Sequence, residues 1–254
     1  MKLTGHTILI TGGGTGIGSG LARAFHERGN KVIITGRRAK ILRDFSAPFP
    51  GMEAYAMDVS KEADVQRLYK VISKKFPSLD VLINNAGVGK VMDFAKPESL
   101  PRDLFEEVET NLKGLIRVSR AFLPLLMGQA ASTLVNISSG LAFLPLGLTP
   151  LYGATKAGVH SFTQALRYQL RDTPVKVVEL FPPAVATHFG KVPGAPDVKY
   201  PQMPLEKFIP KAMKALSTEG VELAVGASGA LRFAARLFPN TAFRLVNPAK
   251  GYKA

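Results

Sequence analysis

The sequence contains no cysteine and no tryptophan. The first absence excludes disulfides, thiolate nucleophiles, cysteine zinc sites and iron–sulfur clusters together. Acidic residues are scarce: 19 Asp and Glu stand against 33 Lys and Arg, a formal charge of +14. A clean bilayer-length apolar run is missing too. Residues 121–155 carry no charge, but Pro124, Pro145, Pro150, Gly128, Gly140 and Gly147 interrupt them, so they read as a buried strand followed by a loop. No fixed-period repeat, low-complexity tract or block of like charge marks a solenoid or a tail. His160 and His188 have no partners at ligand spacing, so no metal is expected. A polar N-terminus without cysteine points to the cytoplasm.

What is present is 254 residues, 46% of them hydrophobic, enough for one domain over 1–254 with a full apolar core. Seven short β-rich runs recur at Thr7–Thr11, Lys31–Thr35, Ala54–Met57, Asp80–Asn84, Thr133–Ile137, Val175–Phe181 and Val221–Val225. Most are near-continuously apolar, the pattern of strands covered on both faces. Helix-length stretches lie between several of them, at Gly16–Gly29, Lys61–Phe76, Arg102–Leu126 and Tyr152–Arg171. The fold class is therefore α/β: a single-domain, Rossmann-like, doubly wound parallel sheet of about seven strands with helices on both faces. Its ligand belongs at the carboxyl ends of the strands.

The first run ends in Thr11-Gly12-Gly13-Gly14-Thr15-Gly16-Ile17-Gly18 and opens an amphipathic helix. Glycines admit a pyrophosphate close to the backbone, and the helix start offers free N–H groups. The spacing is T-G-x-x-x-G-x-G rather than G-x-G-x-x-G. In dinucleotide-binding βαβ units an acid after the second strand holds a ribose 2′-hydroxyl. Here Arg37 and Arg38 occupy that place, and a guanidinium suits a 2′-phosphate. The expected cofactor is NADP, with Arg37 the first choice and Arg38 the second.

Tyr152 and Lys156 sit at i and i+4 on one helix face, after Ser139 at the end of an apolar strand. Asn84-Asn85-Ala86-Gly87 closes the fourth strand. In these motifs, from Thr7 to about Thr187, the sequence resembles the short-chain dehydrogenase/reductase family. A further stretch, HSFTQALRYQLRDTPVKVVELFPPAVAT, is similar to a bacterial subgroup named after the lipoteichoic-acid D-alanylation cluster. The resemblance implies cofactor contacts at Gly12, Thr15, Gly16, Ile17, Gly18, Asp58, Val59, Asn85, Ala86, Gly87 and Thr187, and a catalytic set of Asn111, Ser139, Tyr152 and Lys156. Tyr152 would be the acid/base, and Lys156 would favour its phenolate while also binding the cofactor. Ser139 would hold the substrate oxygen, and Asn111 would fix a proton-relaying water. Small carbonyl or secondary-alcohol substrates and a homodimer or homotetramer follow from the same likeness.

The family's Pro-Gly after the sixth strand is Pro182-Pro183 here, which removes an N–H and the glycine's freedom. Residues 188–210, rich in Pro and Gly, read as a substrate loop. With Leu141, Phe143, Leu144 and Leu148 they suggest an apolar pocket, against the alternative of ordinary loop-to-core packing. Residues 228–238 place Arg232 and Arg236 among Leu231, Phe233, Leu237 and Phe238. Such a helix can lie on an anionic membrane, but packing on its own domain is the favoured reading. No nucleic-acid partner is expected, because no basic stripe carries interleaved stacking aromatics. A cofactor-binding sensor on the same fold is the alternative to an enzyme; losing Tyr152 or Lys156 would mark it, and both are present.

Overall fold

The computed structural model describes residues 1–187 and 202–247. The chain begins β1 (Thr7–Thr11), α1 (Gly16–His26), β2 (Lys31–Gly36), α2 (Ala39–Ser46), β3 (Glu53–Ala56), α3 (Glu62–Lys75) and β4 (Val81–Asn84). It continues through a π-helical turn (Val108–Gly114) into α4 (Leu115–Met127), then β5 (Ser132–Ile137), α5 (Pro150–Gln169) and β6 (Val175–Phe181). Two-residue strands β7 (Val185–Ala186) and β8 (Met203–Pro204) pair with each other. The last elements are α6 (Leu205–Leu216), β9 (Glu222–Ala224), α7 (Ala227–Leu237) and α8 (Pro239–Val246).

Seven strands form one sheet in the order β3-β2-β1-β4-β5-β6-β9, and every pairing is parallel. All five residues of β1 and all four of β4 are buried. Two apolar clusters, one on each face, account for that burial. Ile8, Ile10, Ile34, Val135 and Leu180 face Leu21, Phe25 and Phe208. Leu9, Ile33, Leu82, Leu134 and Val177 face Val65, Phe122 and Leu166. The period-two side-chain alternation thus feeds two helical layers.

The sheet reverses its winding between β1 and β4, which are neighbours but not consecutive. A crevice opens at their carboxyl ends. The glycine loop follows β1 there, and Asn85-Ala86-Gly87 follows β4.

One expectation needs correction. Residues 188–210 are not a loop throughout. His188 and the rest of 188–201 lie outside the described residues, but Met203–Pro204 is a strand and α6 begins at Leu205. Pro210 suggested irregular chain, yet Phe208, Ile209, Ala212, Met213 and Leu216 make one buried helical face. Pro210 itself is exposed, so the carbonyl it leaves unpaired can turn to water. Helix α2, unassigned from sequence, is short and buries only Leu42.

Candidate active site

The glycine loop is shaped by contacts no larger residue would allow. Gly12 and Gly16 have φ of 65° and 58°, a region that favours glycine. A Cβ on Gly18 would lie 2.2 Å from the Gly12 carbonyl oxygen, and one on Gly12 would lie 2.9 Å from Ala86 Cα. Thr15 caps α1 without using its side chain, and the first turn holds no acid. The N–H groups and positive dipole end are therefore open to an anion. Ile17 is half-buried and packs on the core beneath the loop. Thr187 sits over the loop, its Cγ2 3.4 Å from where a Gly16 Cβ would be.

Asn85 braces this loop: its side-chain amide donates to the carbonyls of Thr11 (3.0 Å) and Gly12 (3.1 Å). The Asn85 and Ala86 N–H groups both donate to Thr11 Oγ1 at 3.0 Å. Gly87 lies against Asn111, whose Oδ1 would be 3.3 Å from a Cβ there. Asn111 stands in the π-helical turn. Its Oδ1 accepts from the Val88 N–H, and its Nδ2 donates to the Val88 carbonyl (both 2.8 Å) and to Thr155 Oγ1 (3.2 Å). The side chain thus stitches the segment after β4 to α5, with both Nδ2 hydrogens committed to protein partners.

Beyond the carboxyl ends of β2 and β3, Arg37, Asp58, Lys61, Asp64 and Arg67 line a cleft of about 280 Å³. The Arg37 guanidinium is 2.9 Å from Glu106 Oε1, and Lys90 Nζ is 2.7 Å from Glu106 Oε2. Arg38 is exposed and has no ion-pair partner among the described residues. Asp58 Oδ1 accepts from the N–H and hydroxyl of Ser60. Val59 is buried, its side chain turned toward Gly114, which leaves its backbone for any adenine contact.

Ser139, Tyr152 and Lys156 converge. Ser139 follows β5, and its Oγ also accepts from the Leu141 N–H at 3.1 Å. Helix α5 starts with Pro150, whose missing N–H costs nothing in a first turn. Tyr152 hydrogen-bonds Ser139 through its side chain; burial pushes its phenol up, the Ser139 bond opposes this, and the Glu107 charge adds to it. Lys156 Nζ lies 5.6 Å from the Tyr152 ring centroid and donates to the Ile137 carbonyl at 2.8 Å. Burial lowers its ammonium to about 8, with Glu179 pulling the other way.

Two carboxyl groups at this site were missed in sequence. Glu107 is fully buried; Oε1 accepts from the Lys90 N–H at 2.8 Å, while Oε2 has no hydrogen-bond partner among the described residues. Burial raises it above the usual carboxylate range. Glu179, fully buried on β6, pairs with His160 Nδ1 at 2.9 Å and is likewise raised by burial. Glu179 had a signal, a lone acid inside the apolar run Val-Val-Glu-Leu-Phe. Glu107 had none, because Glu106 beside it looks the same in sequence and is exposed enough to pair with Arg37 and Lys90.

Of the proposed pocket residues, Phe143 packs on Phe181 (4.6 Å between centroids) and His160 (5.1 Å), and Leu144 is buried. These two side chains follow the loop-to-core alternative. Pro183 ends no contact of the loop outright: the Pro182 carbonyl accepts from Gly140 N–H and the Ala184 carbonyl from Met203 N–H. No group of acids and histidines among the described residues is arranged to hold a metal, and no helix there is long and apolar enough to cross a membrane.

A parallel sheet with a glycine loop at its switch point and a converging Ser-Tyr-Lys set defines a class, and the comparisons agree. The family profile described as short chain dehydrogenase matches residues 6–194, and the chain belongs to that family. It is similar to the uncharacterized oxidoreductase DltE of Bacillus subtilis (strain 168), 44% identical over 190 residues, 74% of each chain. A short chain dehydrogenase from Burkholderia cenocepacia J2315, solved in complex with NADP, matches at TM-score 0.83 and 23% identity, over 97% of this chain and 99% of that one. A 3-ketoacyl-(acyl-carrier-protein) reductase from Brucella melitensis, complexed with NADH, matches at 0.76 and 30%, over 88% and 98%. The likeness to the D-alanylation-cluster subgroup holds as well.

Proposed function

We propose that the protein is an NADP(H)-dependent oxidoreductase acting on a carbonyl or secondary alcohol, with Tyr152 as the general acid/base. The observation that carries this reading is the Ser139–Tyr152 hydrogen bond with the buried Lys156 ammonium beside the phenol ring. When bound, the nicotinamide supplies or accepts the hydride. The glycine loop suits the pyrophosphate of such a cofactor: it has open N–H groups, no acid in the first turn and no room for a Cβ at Gly18.

The protein's own part is proton transfer and charge stabilisation. In reduction Tyr152 gives its phenolic proton to the substrate oxygen, and in oxidation the phenolate takes it. Lys156 stabilises the phenolate by its charge, which offsets the upward push of burial. Because burial brings Lys156 to about 8, it is mostly charged at neutral pH. Glu179 helps keep it so. Ser139 donates to the substrate oxygen as negative charge grows there. Asn111 acts as a positioning residue, holding Val88 and Thr155 around the site.

NADP rather than NAD is favoured by Arg37 and Arg38 at the end of β2 and by the absence of an acid there. The solved relatives leave the choice open, since one was solved with NADP and another with NADH. Glu106 occupies Arg37 before any 2′-phosphate does. The sensor alternative gains no support, because Tyr152 and Lys156 stand together at the site. Oxidation of NADPH against a panel of aldehydes, ketones, quinones and steroids tests the proposal. Turnover with at least one class, slower with NADH, is expected; NADH turning over equally well would remove the cofactor assignment.

A further inference from the structure

The C-terminal helices carry an apolar surface turned outward. On α7 the exposed positions include Ala230, Phe233 and Leu237, an i, i+3, i+7 set on one side of the helix, while Ser228 on the opposite side is buried beneath Gly140. Phe233 is 65% exposed, Leu237 52%, Phe238 60% and Leu245 80%. Large apolar side chains standing together in solvent mark an interaction surface. The expectation that this helix buries its apolar side on its own domain is therefore not met for Phe233, Leu237 and Phe238.

The charges carried by α7 and α8 themselves are all of one sign. The sequence contains no acid after Glu222. Arg232 is paired with Glu222, but Arg236 and Arg244 are exposed and have no ion-pair partner among the described residues. A second copy meeting this face across a two-fold axis would bring arginine toward arginine with no acid on either helix to relieve them. A bilayer bearing anionic headgroups offers the complementary arrangement, with an apolar zone for the phenyl and leucyl groups and negative charge for the guanidinium groups.

We propose that α7 and α8 form a peripheral docking surface for anionic lipid membranes. Helix α7 touches the segment that carries Ser139 with the side turned away from the docked face. A Cβ on Gly140 would touch Leu231 and Ser228 of α7, and Asn247 bonds to both Gly147 N–H and the Pro145 carbonyl.

The test is co-sedimentation of the full chain with vesicles of phosphatidylcholine alone and of phosphatidylcholine with phosphatidylglycerol, at low and high salt. Binding to the phosphatidylglycerol vesicles alone, weakened by salt, is expected. Each exposed arginine should contribute about fivefold to the affinity. The variant R236Q/R244Q should therefore lose about 25-fold, and F233S/L237S should stop binding. All four side chains are exposed, so both variants should keep the wild-type circular dichroism and melting temperature. No binding to phosphatidylglycerol vesicles at low salt, or undiminished binding by both variants, overturns the proposal. So does a concentration-dependent dimer of the wild type that F233S/L237S converts to monomer, because a second copy would then cover the face.

Discussion

The crevice at the carboxyl ends of β1, β4 and β5 and the surface of α7 and α8 are built by opposite means. In the crevice, side chains are held by backbone groups far away in sequence. Asn85 holds the Thr11–Gly12 carbonyls, Asn111 holds Val88, and Lys156 holds the Ile137 carbonyl. On α7 and α8 large apolar side chains and two arginines face solvent together, and only Ser228 and Ala242 are buried. The family profile ends at residue 194, although the fold continues, since the Burkholderia cenocepacia structure covers 97% of the chain. The difference is one of construction: the crevice is held by long-range hydrogen bonds, whereas the later surface leaves its side chains in solvent.

If that contrast holds, small changes in the crevice should be severe and large changes on α7 mild. Lys156→Met should lower kcat by about 10²- to 10⁴-fold, the range of a lost acid/base partner. Its stability should move the other way. The Lys156 pKa is depressed from 10.5 to about 8, so the unfolded chain binds the proton more tightly. A buried charge then costs stability below pH 8, a cost relieved as pH rises toward 10.5. Tm of Lys156→Met at pH 7 should exceed that of the wild type; a lower Tm would show that the bond to Ile137 outweighs the burial cost.

Arg37→Asp should raise KM for NADPH by about 10- to 100-fold, the worth of a charge-assisted pair, and lower KM for NADH. Steady-state kinetics with both cofactors reads this directly, and unchanged NADPH kinetics would pass the role to Arg38. Glu107→Gln keeps an oxygen for the Lys90 N–H and removes a buried charge. The folded pKa of Glu107 lies above its ordinary value of 4.5, so the native state holds its proton longer and stability falls as pH rises through that window. The variant should melt about 2–6 °C higher than wild type at pH 8, with the gain vanishing near pH 4. An equal gain at both pH values would mean that the effect is not electrostatic. Smallest of all, F233S/L237S should leave kcat within about twofold and Tm nearly unchanged, since exposed substitutions move stability by under about 0.5 kcal/mol.

Much of the crevice was legible in the sequence because it depends on local rules. A glycine loop between strand and helix, an arginine pair after β2 and a Tyr-Lys pair at i and i+4 each read from a few adjacent residues. Most of the strands were legible because a doubly covered strand is largely apolar, and Thr7–Thr11 and Val175–Phe181 match to the residue. What escaped depends on the packed chain. Whether Glu106 or Glu107 turns inward is decided by the π-helical turn that follows them and by Lys90 opposite. Helix α6 was hidden by Pro210, whose effect turns on whether it faces water. The outward side of α7 could not be separated from an inward one, because an amphipathic pattern looks the same whichever face meets the protein.

The central claim is that Tyr152, set between Ser139 and Lys156, moves the proton. It is tested most directly by comparing Tyr152→Phe with wild type in NADPH oxidation and in NADPH binding. The phenyl ring preserves the packing on Lys156 and removes only the hydroxyl. Turnover should fall by about 10²- to 10⁴-fold while the NADPH Kd stays within about twofold. Turnover retained at the wild-type rate would contradict the account.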